Sequence, residues 1–93
     1  MVESGFKGKS MKMVAVDVAE GFITVNPLFL KKFDQDMIKT LFDNLNKTLT
    51  SIRNEKLDYG NQTALRIRNM KLQRMHNAMI IIRNIAREKR IPL

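Results

Sequence analysis

The basic side chains near the end of the sequence have the clearest potential chemistry. Residues 66–90 carry eight Lys or Arg side chains and one carboxylate, Glu88. The arginine guanidinium is a planar set of N–H donors that matches the oxygens of a phosphate group. This spacing predicts contact with an anionic partner, and nucleic acid is the expected one. Alternatively, the arginines keep an apolar helix soluble, because residues 78–82 form an unbroken apolar run in the same stretch.

Other residue types that could act in catalysis or metal binding are sparse. The segment "GFKGKS" ends like a phosphate-binding loop, but Glu3 stands where that loop needs its first glycine. A single histidine, His76, and the lack of cysteine leave too few ligands for a metal cluster. The carboxylates of Asp34, Asp36 and Asp43 fall on the expected polar face of a helix. We therefore expect no enzymatic activity, no metal and no cofactor.

The charge of the chain is concentrated in its last third. Seventeen Lys and Arg against nine Asp and Glu give a net charge of +8, and residues 1–33, 34–58 and 59–93 carry +2, −1 and +7. Such an excess is typical of proteins that bind nucleic acid or anionic surfaces. The sequence has no cysteine, no export signal and no apolar run of the ~20 residues that a membrane span needs. These features predict a cytoplasmic protein, associated with the nucleoid if it binds DNA.

The elements that would position the basic residues begin with a flexible arm and a small hairpin. Residues 1–10 are rich in Gly, Ser and Lys and predict a basic N-terminal arm. Valines at every second position from Val14 to Val18, followed by Gly21 with a positive φ, predict a β-hairpin over residues 13–25. A hairpin of this size is marginal alone, so it must pack on a helix or pair with another chain.

Two long helices are predicted after the hairpin. The dipeptide "NP" can cap and start the first, and apolar residues then recur at steps of three and four. The pattern leaves open whether this helix, over residues 27–57, is continuous or restarts at Asp34. The segment "DYGN" ends it, with Gly60 in the left-handed conformation, and a second helix follows over residues 62–90. We expect a mainly α (α+β) fold with one domain over residues 11–93: a long antiparallel, coiled-coil-like helical hairpin preceded by the small β-hairpin.

The segment "GNQTALRIRNMKLQRMHNAMIIIR", residues 60–83, combines a Gly-Asn start, an Arg-x-Arg pair and a later apolar-Arg step. In this pattern it resembles short bacterial and viral linker-histone-like proteins, which are DNA-condensing helical hairpins with Lys- and Arg-rich second halves. The resemblance implies that backbone phosphates are neutralised without any reading of bases. The side chains that it implies in DNA contact are Arg66, Arg74, Arg83, Arg87 and Arg90.

The favoured function is that of a non-enzymatic, sequence-nonspecific, double-stranded DNA-binding protein, architectural or accessory, acting through its Arg-rich C-terminal helix. Duplex is favoured because no aromatic residue is interleaved with the arginines to stack on single-stranded bases. The alternative is a helical adaptor or assembly subunit whose role is protein–protein interaction. A basic helix on an anionic membrane surface is the least favoured, because tryptophan and a clean polar face are lacking.

Self-association is also expected, as a homo-oligomer and most simply a dimer. On a helical wheel Ile80 falls among polar residues, while Ile81 and Ile85 lie to one side. One partner helix cannot cover all three, so they form the predicted interface between copies. Alternatively, the three valines of the chain's own predicted β-hairpin bury part of this surface.

Overall fold

The computed structural model of the chain describes residues 5–6 and 9–93. The protein is mainly helical, and four helices pack together: α1 (Met11–Glu20), α2 (Pro27–Leu30), α3 (Gln35–Asn54) and α4 (Gln62–Lys89). Before α1, the two-residue strands β1 (Gly5–Phe6) and β2 (Lys9–Ser10) pair in antiparallel fashion. The basic arm predicted over residues 1–10 lies partly outside the described residues.

The β-hairpin predicted over residues 13–25 is wrong, because the chain forms α1 there. The valines that suggested a strand also fit a helix: Val14 and Val18 are buried four residues apart, and Val16 between them is 43% exposed. A buried alanine follows each of the two buried valines, which completes an apolar stripe at helical spacing. A pattern this short fits the two-residue period of a strand as well as the 3.6-residue period of a helix. Packing of the apolar stripe against α3 and α4 favours the helix.

Local hydrogen bonds set both ends of α1. The Ser10 hydroxyl accepts a hydrogen bond from the Met13 amide at 3.3 Å, which caps the first turn. Gly21 ends the helix in the left-handed conformation with φ of 84°, and its amide donates to the carbonyls of Asp17 and Val18. The positive φ predicted for Gly21 is confirmed, although it ends a helix rather than turning a hairpin.

The helix predicted over residues 27–57 is interrupted, which answers the question left open at Asp34. Asn26 caps α2, and α2 is a single turn. Asp34 is extended, and its Oδ1 accepts a hydrogen bond from the Met37 amide at 2.8 Å, so it caps a new helix. That helix, α3, ends at Asn54, three residues before the predicted end.

The last helix, α4, closely follows the predicted bounds of residues 62–90. Asn61 caps it by accepting a hydrogen bond from a backbone amide of the first turn. The left-handed conformation predicted for Gly60 is wrong, and the turn is closed instead by Asp58, whose Oδ1 accepts from the Gly60 amide at 2.9 Å. At the other end, α4 stops where Arg90 takes a left-handed φ of 56°.

Side chains from α1, α3 and α4 build one hydrophobic core. Because α1 packs against both long helices and α2 adds Leu30, the core is shared by more than two helices, whereas the sequence predicted a two-helix, coiled-coil-like seam. Within the described part of the chain no polar or charged residue is buried, so residues available for binding lie at the surface. The buried residues of the two long helices are Ile38, Leu41, Leu45, Leu49 and Ile52 of α3, and Met75, Ala78, Met79, Ile82 and Ala86 of α4.

Candidate nucleic-acid interface on the last helix

Two of the three sides of α4 face other helices. On the α1 side, Lys71 Nζ lies 3.1 Å from Glu20 Oε1. On the α3 side, Arg53 Nη2 lies 3.2 Å from His76 Nε2. The third side is exposed along the length of the helix, and its residues fall within ~80° of one another on a wheel of 100° per residue. We call this side the open face; it consists of Gln62, Arg66, Asn69, Gln73, Asn77, Ile80, Asn84 and Arg87.

Two arginines stand near the ends of the open face. Arg66 and Arg87 are separated by about 32 Å along the axis, at 1.5 Å per residue. Both are exposed, and neither forms an ion pair with a carboxylate of the described residues. The neighbouring acid, Glu88, lies ~100° further round the helix than Arg87. The charges of the two arginines are therefore free to meet an external anion.

Arg83 adds positive charge along the α3 edge of the open face, and Arg90 adds it at the C-terminal end of α4. Both are exposed, and neither is paired with a carboxylate in the part of the chain that the structure describes. The Arg83 Cζ lies 5.3 Å from the centre of the Phe42 ring, a cation–π geometry that orients the guanidinium. A guanidinium that stacks through its face keeps its N–H edges available for phosphate oxygens.

Arg74, the fifth arginine predicted to contact DNA, already has a partner within the chain. Its Nη1 donates a hydrogen bond of 3.0 Å to the carbonyl of Ala19 in the last turn of α1. Its guanidinium also packs against Gly21, with Cζ 2.9 Å from the position that a Cβ would occupy there. Arg74 thus satisfies a carbonyl left open at the end of α1 and places a positive charge at the negative end of that helix.

Arg68 is likewise directed into the protein. It is half-buried on the α3 side of α4, and its Nη2 lies 3.5 Å from the Arg53 carbonyl near the end of α3. Its Nε is buried and has no hydrogen-bond partner among the described residues. Arg68 therefore belongs to the contact between the two long helices.

The open face carries five side-chain amides, and the four that lie between Arg66 and Arg87 are candidate site residues that sequence reasoning missed. All four are exposed, and none makes a side-chain hydrogen bond within the described ranges. The signal in the sequence is their spacing, because three of them recur at steps of four residues. We call them the amide row: Asn69, Gln73, Asn77 and Asn84.

The three isoleucines of the predicted interface do not share one environment. Ile81 and Ile85 are partly buried and pack against the core. Ile80 is 53% exposed on the open face. The chain's own α1, which forms where the β-hairpin was predicted, lies on the side of α4 that carries Ile81 and leaves Ile80 uncovered.

A cavity of about 330 Å³ lies between α1, the loop that follows it and α4. Its lining is mostly apolar, and its polar groups come from Thr24, Arg74 and Asn77. No group of three or more His, Cys, Asp or Glu residues able to hold a metal ion occurs in residues 5–6 and 9–93. In the same residues, none of the helices combines the length and apolar character required to span a membrane.

Comparison with known proteins finds no matching family model, no similar curated protein and no similar solved structure. The resemblance of residues 60–83 to linker-histone-like proteins thus stays a prediction from the sequence.

Proposed function

We propose that this protein binds double-stranded DNA, without recognising a particular order of bases, as a non-enzymatic architectural or accessory protein. The observation that carries the proposal is the set of exposed arginines on and beside the open face of α4. None of them is neutralised by a carboxylate of the described residues. They are Arg66, Arg83, Arg87 and Arg90.

The number of free arginines sets the expected strength of the salt dependence. Each phosphate that a protein neutralises on duplex DNA contributes about −0.9 to the slope of log K against log salt. Four contacts predict a slope of about −3.6. Arg74 is left out of this number, because its guanidinium is held by Ala19.

The shape and composition of α4 support a duplex partner. A helix of 28 residues is about 42 Å long, and the major groove of B-DNA, about 12 Å wide, admits an α-helix. The α4 sequence contains no Phe, Tyr or Trp on which single-stranded bases could stack. In this proposal α3 and α4 form an antiparallel helical hairpin that presents the open face, and the protein acts in the cytoplasm, at the nucleoid.

Fluorescence anisotropy at several salt concentrations tests the proposal, with two duplexes of equal base composition and unrelated order. We expect equal affinities and a slope near −3.6 for the unchanged protein. The double variant Arg66→Gln/Arg87→Gln should lower the affinity and bring the slope to about −1.8. Its control is Lys31→Gln/Lys32→Gln, which removes the same charge from exposed residues outside α4.

Three results would contradict parts of this proposal. The first is no binding at ~50 mM salt, where phosphate contacts are strong. The second is an equal loss of affinity and slope in the two double variants. The third is a large difference in affinity between the two duplexes, which would indicate recognition of base order.

The exposure of Ile80 favours a second candidate function, that of an adaptor or assembly subunit, including a homodimer formed through Ile80, Ile81 and Ile85. Antiparallel pairing of two open faces about their centre would bring Arg66 of one copy towards Arg87 of the other. Like charges so placed oppose association. Sedimentation velocity across the micromolar range tests this function, because a single chain has a mass of 10.8 kDa.

A further inference from the structure

We propose that the open face of α4 lies in the major groove and that its amide row gives the protein a preference for duplex rich in A·T pairs. The inference rests on the DNA binding proposed above and adds to it a preference for base composition. It starts from the amide row and Ile80, because these residues have no role in the proposed contacts with phosphates.

The first step is the placement of the amide row. Its four side chains lie in one sector of α4, between the flanking arginines Arg66 and Arg87. All are exposed, and none makes a side-chain hydrogen bond to any residue that the structure describes. The open face has no carboxylate. A duplex drawn to the arginines would therefore meet hydrogen-bonding groups without an acidic group to repel its phosphates.

The second step is the chemistry of the carboxamide. An Asn or Gln side chain offers one donor and one acceptor side by side, which matches N7 and the N6 amino group of adenine in the major groove. The thymine of the same pair presents a methyl group there, which favours apolar contact. Ile80 stands in the same sector as the amide row and is 53% exposed. An A·T pair is the partner that uses both kinds of side chain.

The third step explains why the preference concerns composition rather than order. Asn69, Gln73 and Asn77 follow one another at about 6 Å, four residues of 1.5 Å each. Base pairs rise by about 3.4 Å along the duplex. Equivalent side chains at this spacing can meet adenines in many registers, so no single base order is favoured.

The partner is DNA rather than double-stranded RNA for a geometric reason. The major groove of A-form RNA is too deep and narrow for side chains to read, and its accessible minor groove displays no thymine methyl. The open face sits on a whole helix, which needs the wide groove of B-DNA.

The test is anisotropy with the full chain and four duplexes of equal length at one salt concentration. One is rich in A·T, without the A-tracts that alter groove shape, and one is rich in G·C. The third replaces adenine by 7-deazaadenine, which removes the N7 acceptor from the major groove alone. The fourth replaces thymine by uracil, which removes the methyl group alone.

We expect the unchanged protein to bind the A·T-rich duplex on the order of tenfold more tightly than the G·C-rich one. The 7-deazaadenine duplex should lose most of this preference and keep only the part due to the thymine methyl group. Gln73→Ala/Asn77→Ala should bind the A·T-rich and 7-deazaadenine duplexes alike while keeping the salt slope. The matched control Asn46→Ala/Asn54→Ala removes two exposed amides from α3 and should keep the preference.

Ile80→Ala gives an independent check of the same placement. It should weaken binding to the thymine duplex by about two- to threefold and leave binding to the uracil duplex unchanged.

The outcomes separate this inference from the proposed function. Binding with equal affinity to A·T-rich, G·C-rich and 7-deazaadenine duplexes overturns the inference and leaves DNA binding intact. No duplex binding at ~50 mM salt overturns both. A sedimenting mass above one chain that falls in Gln73→Ala/Asn77→Ala would assign the open face to a second copy of the protein and also overturn the inference.

Discussion

The Nη1 of Arg74 donates a hydrogen bond of 3.0 Å to the carbonyl of Ala19, a residue 55 positions earlier in the chain. This contact ties the end of α1 to the middle of α4. It also divides the arginines of α4 into two groups, those that hold the fold together and those that are free to bind.

The first prediction compares Arg74→Met with Arg66→Met. Both changes keep an unbranched apolar side chain and remove the guanidinium. We expect Arg74→Met to lower the free energy of unfolding by about 1–2 kcal/mol, because a charged donor to the Ala19 carbonyl is lost. Arg66→Met should stay within about 0.5 kcal/mol, since Arg66 is exposed and unpaired among the described residues. Urea denaturation measures the free energy of unfolding of both variants. Equal losses would contradict the division of the arginines into those that hold the fold together and those that are free to bind.

The second prediction concerns Gly21, which lies against the same guanidinium. Gly21→Ala should destabilise the protein by at least ~1 kcal/mol, because alanine is strained at a φ of 84°. The new Cβ would also lie 2.9 Å from Arg74 Cζ. Gly60→Ala is the control, because Gly60 does not have a positive φ and its Cβ would meet only Asp58 Oδ1, at 3.2 Å. Thermal unfolding of the two variants should rank Gly60→Ala as clearly the more stable.

A third prediction tests the restart of the helix at Asp34. Asp34→Ala should cost about 1 kcal/mol of stability, because its carboxylate accepts the Met37 amide at 2.8 Å. Asp43→Ala removes the same charge from an exposed position inside α3 and should change stability by less than about 0.5 kcal/mol. If the two variants unfold at the same denaturant concentration, the cap at Asp34 does not stabilise α3.

These contacts explain which parts of the fold could be predicted from the sequence. The prediction of α4 was close because 28 residues hold a long repeat and Asn61 caps it in the expected way. The prediction of a β-hairpin in the region of α1 failed because this helix has only ten residues. Its valines at positions 14, 16 and 18 fit both the period of a strand, two residues, and that of a helix, 3.6 residues. Contacts with α3 and α4, far along the chain, favour the helix.

The sequence predicted where the candidate site lies but not which residues form it. Charge alone pointed to the last third of the chain. Which arginines are free depends on tertiary contacts, since Arg74 donates to the carbonyl of Ala19 in α1 and Arg68 lies against the carbonyl of Arg53 in α3. A helical wheel of α4 gives the direction of each side chain but not which directions other helices cover.

The last prediction uses two isoleucines that are two residues apart on α4. Ile82 is 0% exposed in the core, so Ile82→Ala should cost about 2–5 kcal/mol. Ile80 is 53% exposed, so in a single chain Ile80→Ala should cost less than about 1 kcal/mol. If Ile80 were covered by a second copy, its loss would resemble that of Ile82 and stability would rise with protein concentration, because association is then coupled to folding. Urea denaturation of the unchanged protein and both variants at two concentrations, a hundredfold apart, distinguishes the cases. Curves that depend on concentration would support the homodimer, whereas curves that do not depend on it would leave the open face free for DNA.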